Sequence, residues 1–131
     1  MASSDNVVRA GFTPKYKDIS TLTSMLTYNS GSADEQKMKP SQFQNCQYST
    51  LYDPPIEEFS VVRTDLKSAE EKMAPVDGPS LLIVTSGDGQ LVTADSTFDL
   101  KEGSVWFIGA GEGISLRTKE GMVTHRAFVE V

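Results

Sequence analysis

The sequence predicts a mainly β protein, a series of short strands preceded by an extended segment and one short helix. Three observations carry this expectation. Eight of the ten glycines lie between Gly78 and Gly121, where they punctuate short apolar segments. The one compact apolar stripe at helical spacing, Ile19, Leu22, Met25 and Leu26, falls in the first half of the chain. The longest wholly apolar runs, Leu81–Val84 and Val105–Ile108, are four residues each, a length that suits strands and is far too short for a membrane-spanning helix.

The elements follow in order. Asp18 or Ser20 is placed to cap the helix, because either side chain can accept from a free N–H of the first turn, and Asn29-Ser30-Gly31-Ser32 ends it. Residues 29–50 have neither a helical nor a strand period and read as a polar connection, long for the interior of a compact domain. Pro54-Pro55 cannot lie in a central strand and forms an extended entry to a strand over Phe59–Thr64. A strand over Ser80–Thr85 is followed by Ser86-Gly87-Asp88-Gly89, a tight-turn signal that makes Gln90–Ala94 its hairpin partner.

Phe98 and Leu100 alternate with polar residues, Glu102-Gly103 turns, and Ser104–Ile108 reads as an apolar strand buried on both faces. Gly109–Gly113 and Lys119-Glu120-Gly121 turn on either side of an alternating strand containing Ile114 and Leu116. The closing strand, His125–Val131, sets Ala127, Val129 and Val131 on one face and Arg126, Phe128 and Glu130 on the other. Six or seven strands at this spacing fit a small β-sandwich or a jelly-roll barrel, and the spacing leaves both open.

Composition narrows the function. The chain has 131 residues, with 12 Lys+Arg against 18 Asp+Glu and a formal net charge of −6. That balance argues against nucleic acid as a partner and against a polybasic membrane patch. Met1-Ala2-Ser3-Ser4-Asp5 has no apolar signal-peptide core, so a cytoplasmic protein is expected. Cys46 is the only cysteine and His125 the only histidine. No intrachain disulfide and no two-histidine metal site can be built from them. His125 reads as a half-exposed strand residue, Cys46 as an incidental thiol in the polar connection, and Glu57-Glu58 and Glu70-Glu71 as solvated charge beside turns. Gly109–Gly113 lacks a following Lys-Ser/Thr and opens no helix, so it is not a phosphate-cradling loop.

The first fifteen residues concentrate Asp5, Asn6, Arg9 and Lys15 around Gly11 and Pro14. Arg9 offers a planar fork and Lys15 a point charge, both suited to an anionic ligand. A polar terminus would have the same composition, and on residue types alone both readings stand.

The segment Met1-Ala2-Ser3-Ser4-Asp5-Asn6-Val7-Val8-Arg9-Ala10-Gly11-Phe12-Thr13-Pro14-Lys15 closely resembles the active-site signature of type I mannose-6-phosphate isomerases, also called phosphomannose isomerases. The resemblance continues through Lys17-Asp18, Met25-Leu26-Thr27-Tyr28, Leu51-Tyr52-Asp53-Pro54-Pro55 with Phe59, Gly103–Ile108 and Arg126-Ala127-Phe128, in the family's order and with wording closest to fungal members. It implies a C-terminal, cupin-like jelly-roll or β-sandwich domain over 51–131. Residues 18–50 would be a helix and polar connection, and residues 1–17 an active-site segment belonging to an upstream catalytic domain outside this chain.

The family's enzyme is much longer and binds zinc through a Gln, two His and a Glu, all upstream of the matched region. The resemblance thus implies zinc for the full enzyme, no zinc ligand in this chain, and a fragment, a truncated product or one translated from an internal Met. It also implies the interconversion of mannose 6-phosphate and fructose 6-phosphate, a step in GDP-mannose supply. Arg9 matches the family's active-site arginine, and Asp5 and Lys15 match residues lining the same pocket. The isolated chain is expected to be inactive. The alternative is a metal-free, non-catalytic cupin-like module that binds a sugar or a protein.

Overall fold

A computed structural model describes residues 8–9 and 11–129 of the chain. It divides into two compact units, Met1–Gln36 and Lys37–Val131.

The first unit holds the one helix among the described residues, α1 (Ile19–Met25). Asp18 is its N-cap: its carboxylate accepts from the Thr21 N–H at 2.9 Å and from the Thr21 hydroxyl at 2.6 Å. These two bonds, the hydroxyl first, hold the Asp18 carboxyl below the usual range. The helix ends at Met25, one turn earlier than the Asn29-Ser30 signal suggests, because Leu26 is already extended at ψ 128. None of its residues is buried, and Ile19, Met25 and Leu26 of the predicted stripe are exposed.

The second unit is an antiparallel β structure with nine strands among the described residues. In order they are β1 (Ser41–Gln42), β2 (Ser49–Tyr52), β3 (Ser60–Leu66), β4 (Ala69–Met73), β5 (Ser80–Val92), β6 (Thr97–Lys101), β7 (Val105–Ile108), β8 (Ile114–Thr118) and β9 (Met122–Phe128). One sheet runs β1-β2-β3-β9-β5, with β7 on the far side of β5. The other joins β4 to β8, and β8 and β6 to the second half of β5. The thirteen-residue strand β5 therefore belongs to both sheets. The alternation of β3 and β9 turns Val62, Leu66, Met122 and Phe128 inward, where they meet Leu91, Leu100, Ile114 and Leu116 from the second sheet.

The mainly β expectation and the short helix hold, but several local readings do not. Ser86–Gly89 is no hairpin turn. β5 passes straight through it, with Asp88 opposite Lys101 and Gly89 opposite Leu100, and the hairpin closes at Thr93–Ser96, where the Thr93 N–H donates to the Ser96 carbonyl at 2.9 Å. The glycines serve close packing instead. Gly87 has φ +74, and a Cβ there would collide with the Gly121 carbonyl oxygen. Together with a register shift between Val84 and Ser86, this lets one strand bend from one sheet into the other.

Val105–Ile108 is not buried on both faces. It lies at the margin of its sheet, paired with β5 alone; Ile108 faces the core, while Val105 and Phe107 face out. An unbroken apolar run does not by itself distinguish a buried strand from an apolar outer face.

Part of the polar connection is also core. Phe43 and Cys46 are buried, and the Phe43 ring meets Phe128 edge-on at 5.8 Å between centroids. Glu70 and Glu71 lie in β4 rather than beside a turn, and Glu71 points inward with Met73.

Candidate functional site

The residues singled out at the amino end meet different fates. Asp5 lies outside the described residues. Arg9 is half-buried in the first unit, and Lys15 is exposed on the turn after Pro14. The Lys15 backbone N–H donates to Thr13 Oγ1 at 3.2 Å, which tightens that turn. Neither the Arg9 guanidinium nor the Lys15 ammonium has a hydrogen-bond or ion-pair partner among the described residues. The two cations, six positions apart and with Phe12 fully exposed between them, make a short cationic strip. Chemically it can hold an anionic group through the Arg9 fork and the Lys15 point charge.

Zinc does not fit what the described residues supply. Among the described residues no group of three or more His, Cys, Asp or Glu side chains converges on a common point. His125 sits on the outer side of β9, with Nδ1 3.1 Å from Thr85 Oγ1, and Cys46 is buried with its Sγ 3.6 Å from the Lys72 carbonyl. Burial, then the nearby Glu71 charge, pushes the Cys46 thiol up, which disfavours the thiolate form. Burial, then Arg63, holds the His125 imidazole below its ordinary range.

The interior of the β unit holds polar chemistry that the sequence reading missed. Glu71 accepts from the Tyr48 N–H at 2.8 Å and from Ser49 Oγ at 2.5 Å, and Ser49 in turn lies 2.7 Å from Thr64 Oγ1. Arg126 is buried; its Nε donates to Ser80 Oγ at 2.9 Å, while both terminal nitrogens lack a partner among the described residues. Burial pushes the Arg126 guanidinium down from its ordinary range. Strand parity was the available signal for Glu71, which shares a face with Met73; a β4 reading of Ala69–Met73 would have turned it inward. The same unit carries an open cleft of about 600 Å³ over β5, β6 and β8. Across it Arg117 Nε donates to Gln90 Oε1 and Gln90 Nε2 to Asp99 Oδ1, each at 2.8 Å. Lys101, Arg117 and Lys119 there are matched by Asp88, Asp99 and Glu120, so the cleft has no net preference for an anion.

The β unit is similar to one class of protein, the C-terminal region of type I phosphomannose isomerases. The model of the family "Phosphomannose isomerase type I C-terminal" matches residues 49–96. More particularly, the chain is homologous to the mannose-6-phosphate isomerases of fungi. It is 51% identical over 84% of its length to that of Emericella nidulans and 46% identical over 99% to that of Cryptococcus neoformans. It is also similar to a crystal structure of mannose 6-phosphate isomerase from Salmonella typhimurium, determined with fructose 6-phosphate and zinc bound, a match that covers 100% of this chain at 27% identity and a TM-score of 0.80. The chain spans only 26% of the Emericella protein, 30% of the Cryptococcus protein and 32% of the Salmonella structure.

Proposed function

We propose that this chain is the C-terminal portion of a zinc-dependent mannose-6-phosphate isomerase that interconverts mannose 6-phosphate and fructose 6-phosphate. The observation that carries this reading is homology along nearly the whole chain to enzymes of that name, including the strip with Arg9 and Lys15. Residues 1–17 belong to the wall of a catalytic pocket, 18–36 to a helix and connection, and 37–131 to a supporting cupin-like domain. That domain is wider than the 51–131 read from sequence because β1, Phe43, Cys46 and the start of β2 belong to it. The zinc ligands are contributed by the region that this chain does not span.

The reaction moves a proton between C1 and C2 of the sugar through an enediol, and negative charge develops on the oxygen of the carbonyl being consumed. Arg9 is the catalytic group of this chain: its guanidinium stabilises that oxyanion, a contribution that grows as water is excluded. Lys15 holds the anionic sugar phosphate, and Asp5 orients Arg9 or a sugar hydroxyl. No other residue of the chain is asked to perform chemistry.

The test is a hybrid polypeptide in which this chain replaces the matched segment of the Emericella enzyme. The hybrid should isomerise mannose 6-phosphate. Arg9→Ala should lower kcat by about a hundredfold or more with an unchanged melting temperature, and Lys15→Ala should mainly raise KM. The isolated chain should be inactive. An Arg9→Ala hybrid with full turnover would remove Arg9 from the mechanism. Sugar binding by the isolated β unit that ignores Arg9 would favour a metal-free binding module.

A further inference from the structure

The outer face of the β5–β7 ladder presents a continuous apolar surface. Leu81 pairs with Phe107 and Ile83 with Val105, and all four side chains point away from the core. They are 54%, 71%, 40% and 61% exposed, respectively. On the other side of β5, Leu81 neighbours Ala127, which in turn neighbours the half-buried Val61, so the apolar row extends across four strands. The row beside it turns polar at His125 and Arg63, and Arg63 is paired with Asp65 at 2.6 Å.

Fold stability does not call for these residues outside. The inward partners on the same strands, Leu82, Val84 and Ile108, already fill the core. No lysine, glutamate or proline lies within Val105–Ile108 or Leu81–Val84 to guard this sheet margin. An apolar centre with a charged border is the composition of an interface rather than of a solvated face.

We propose that this face docks on the part of the isomerase polypeptide that precedes the matched region, through an apolar surface on that part. The inference rests on the functional reading above. The occupant follows from length: the Salmonella structure contains all of this chain within 32% of its own, so two thirds of that fold is available to cover the face. The match to a C-terminal family model places that material before this region.

The test uses the tagged 131-residue chain with the preceding portion of the Emericella enzyme, and in parallel the single-chain hybrid. The chain should capture the preceding portion. Phe107→Asp and Val105→Asp should each weaken capture at least tenfold, while Ile56→Asp, an exposed apolar residue between β2 and β3, should not. Each variant alone should melt as the unmodified chain does, since the altered side chains are exposed. In the hybrid, amide exchange over 81–83 and 105–107 should be slower than in the free chain.

Undiminished capture by both face variants would overturn the inference, as would unchanged exchange over those strands in an active hybrid. In either case the functional reading survives. Self-association of the free chain that is lost in Phe107→Asp, without capture, would show a second copy on the face and overturn it as well. An inactive hybrid that also fails to protect the face would sink both proposals together.

Discussion

Ser49 donates its hydroxyl hydrogen to the carboxylate of Glu71 across 22 positions of sequence, with both residues buried. The same carboxylate accepts from the Tyr48 N–H. One acid thus ties β4 to the start of β2, where composition had suggested only solvated charge. Glu71→Ala should destabilise the chain by about 2–3 kcal/mol, because the Ser49 hydroxyl and the Tyr48 amide would lose their acceptor away from water. Glu71→Gln, which keeps one acceptor oxygen, should cost about 1 kcal/mol. Urea unfolding measures both, and equal midpoints for Glu71→Ala and the unmodified chain would show that the carboxylate holds nothing together.

Gly87 is the hinge by which β5 changes sheets. Gly87→Ala meets the Gly121 carbonyl and forces a β-carbon onto φ +74, so the loss should exceed 2 kcal/mol, above the usual cost of a strained glycine site alone (about 1 kcal/mol). Gly103→Ala is the comparison: it also has positive φ but meets no atom within 4 Å, and its cost should stay near about 1 kcal/mol. The melting temperatures of the two variants decide between strain alone and strain plus collision.

His125 gives stability a dependence on pH with a definite sign. Burial and Arg63 lower its proton affinity in the folded chain. As pH falls through the ordinary imidazole range, about 6.5, the unfolded chain takes up a proton that the folded chain resists, so this contribution is present above that range and lost below it. His125→Gln should flatten the fall in stability between about pH 7 and pH 5. Arg63→Gln should flatten it less, since burial is the larger cause. Superimposable profiles of His125→Gln and the unmodified chain would assign the dependence to other groups.

Cys46 should behave as a core residue rather than a loop thiol. Its proton is held more tightly in the folded chain than in the unfolded one, so its contribution to stability is present at neutral pH and is lost as pH rises through the raised value. Modification of the native chain by a disulfide reagent at neutral pH should be slower by about a hundredfold or more than in urea. Comparable rates in the two conditions would mean that the stretch around Cys46 opens freely.

The mainly β class, the short helix with its cap narrowed to Asp18 or Ser20, and the strands around Ser60, Thr97 and Ile114 were readable from the chain because each rests on local signals: period, capping chemistry and punctuation by glycine. The closing strand, expected over His125–Val131, instead begins at Met122 and ends at Phe128. The cationic strip of Arg9 and Lys15 was readable as a motif. Its place in a pocket is a matter of the proposed larger enzyme.

Tertiary structure decided the rest. Ser86–Gly89 carries the composition of a turn, yet those glycines are spent on close approach to Gly121, just before β9, and to Arg117 of β8. The runs Leu81–Val84 and Val105–Ile108 are alike in composition, and only the pairing of β5 with β9 and β7 shows that half of each faces outward. Glu71 and Arg126 are charged residues whose burial depends on which strands close over them. In each case the deciding partner lies dozens of positions away, and a local pattern carries no record of a neighbour that only folding supplies.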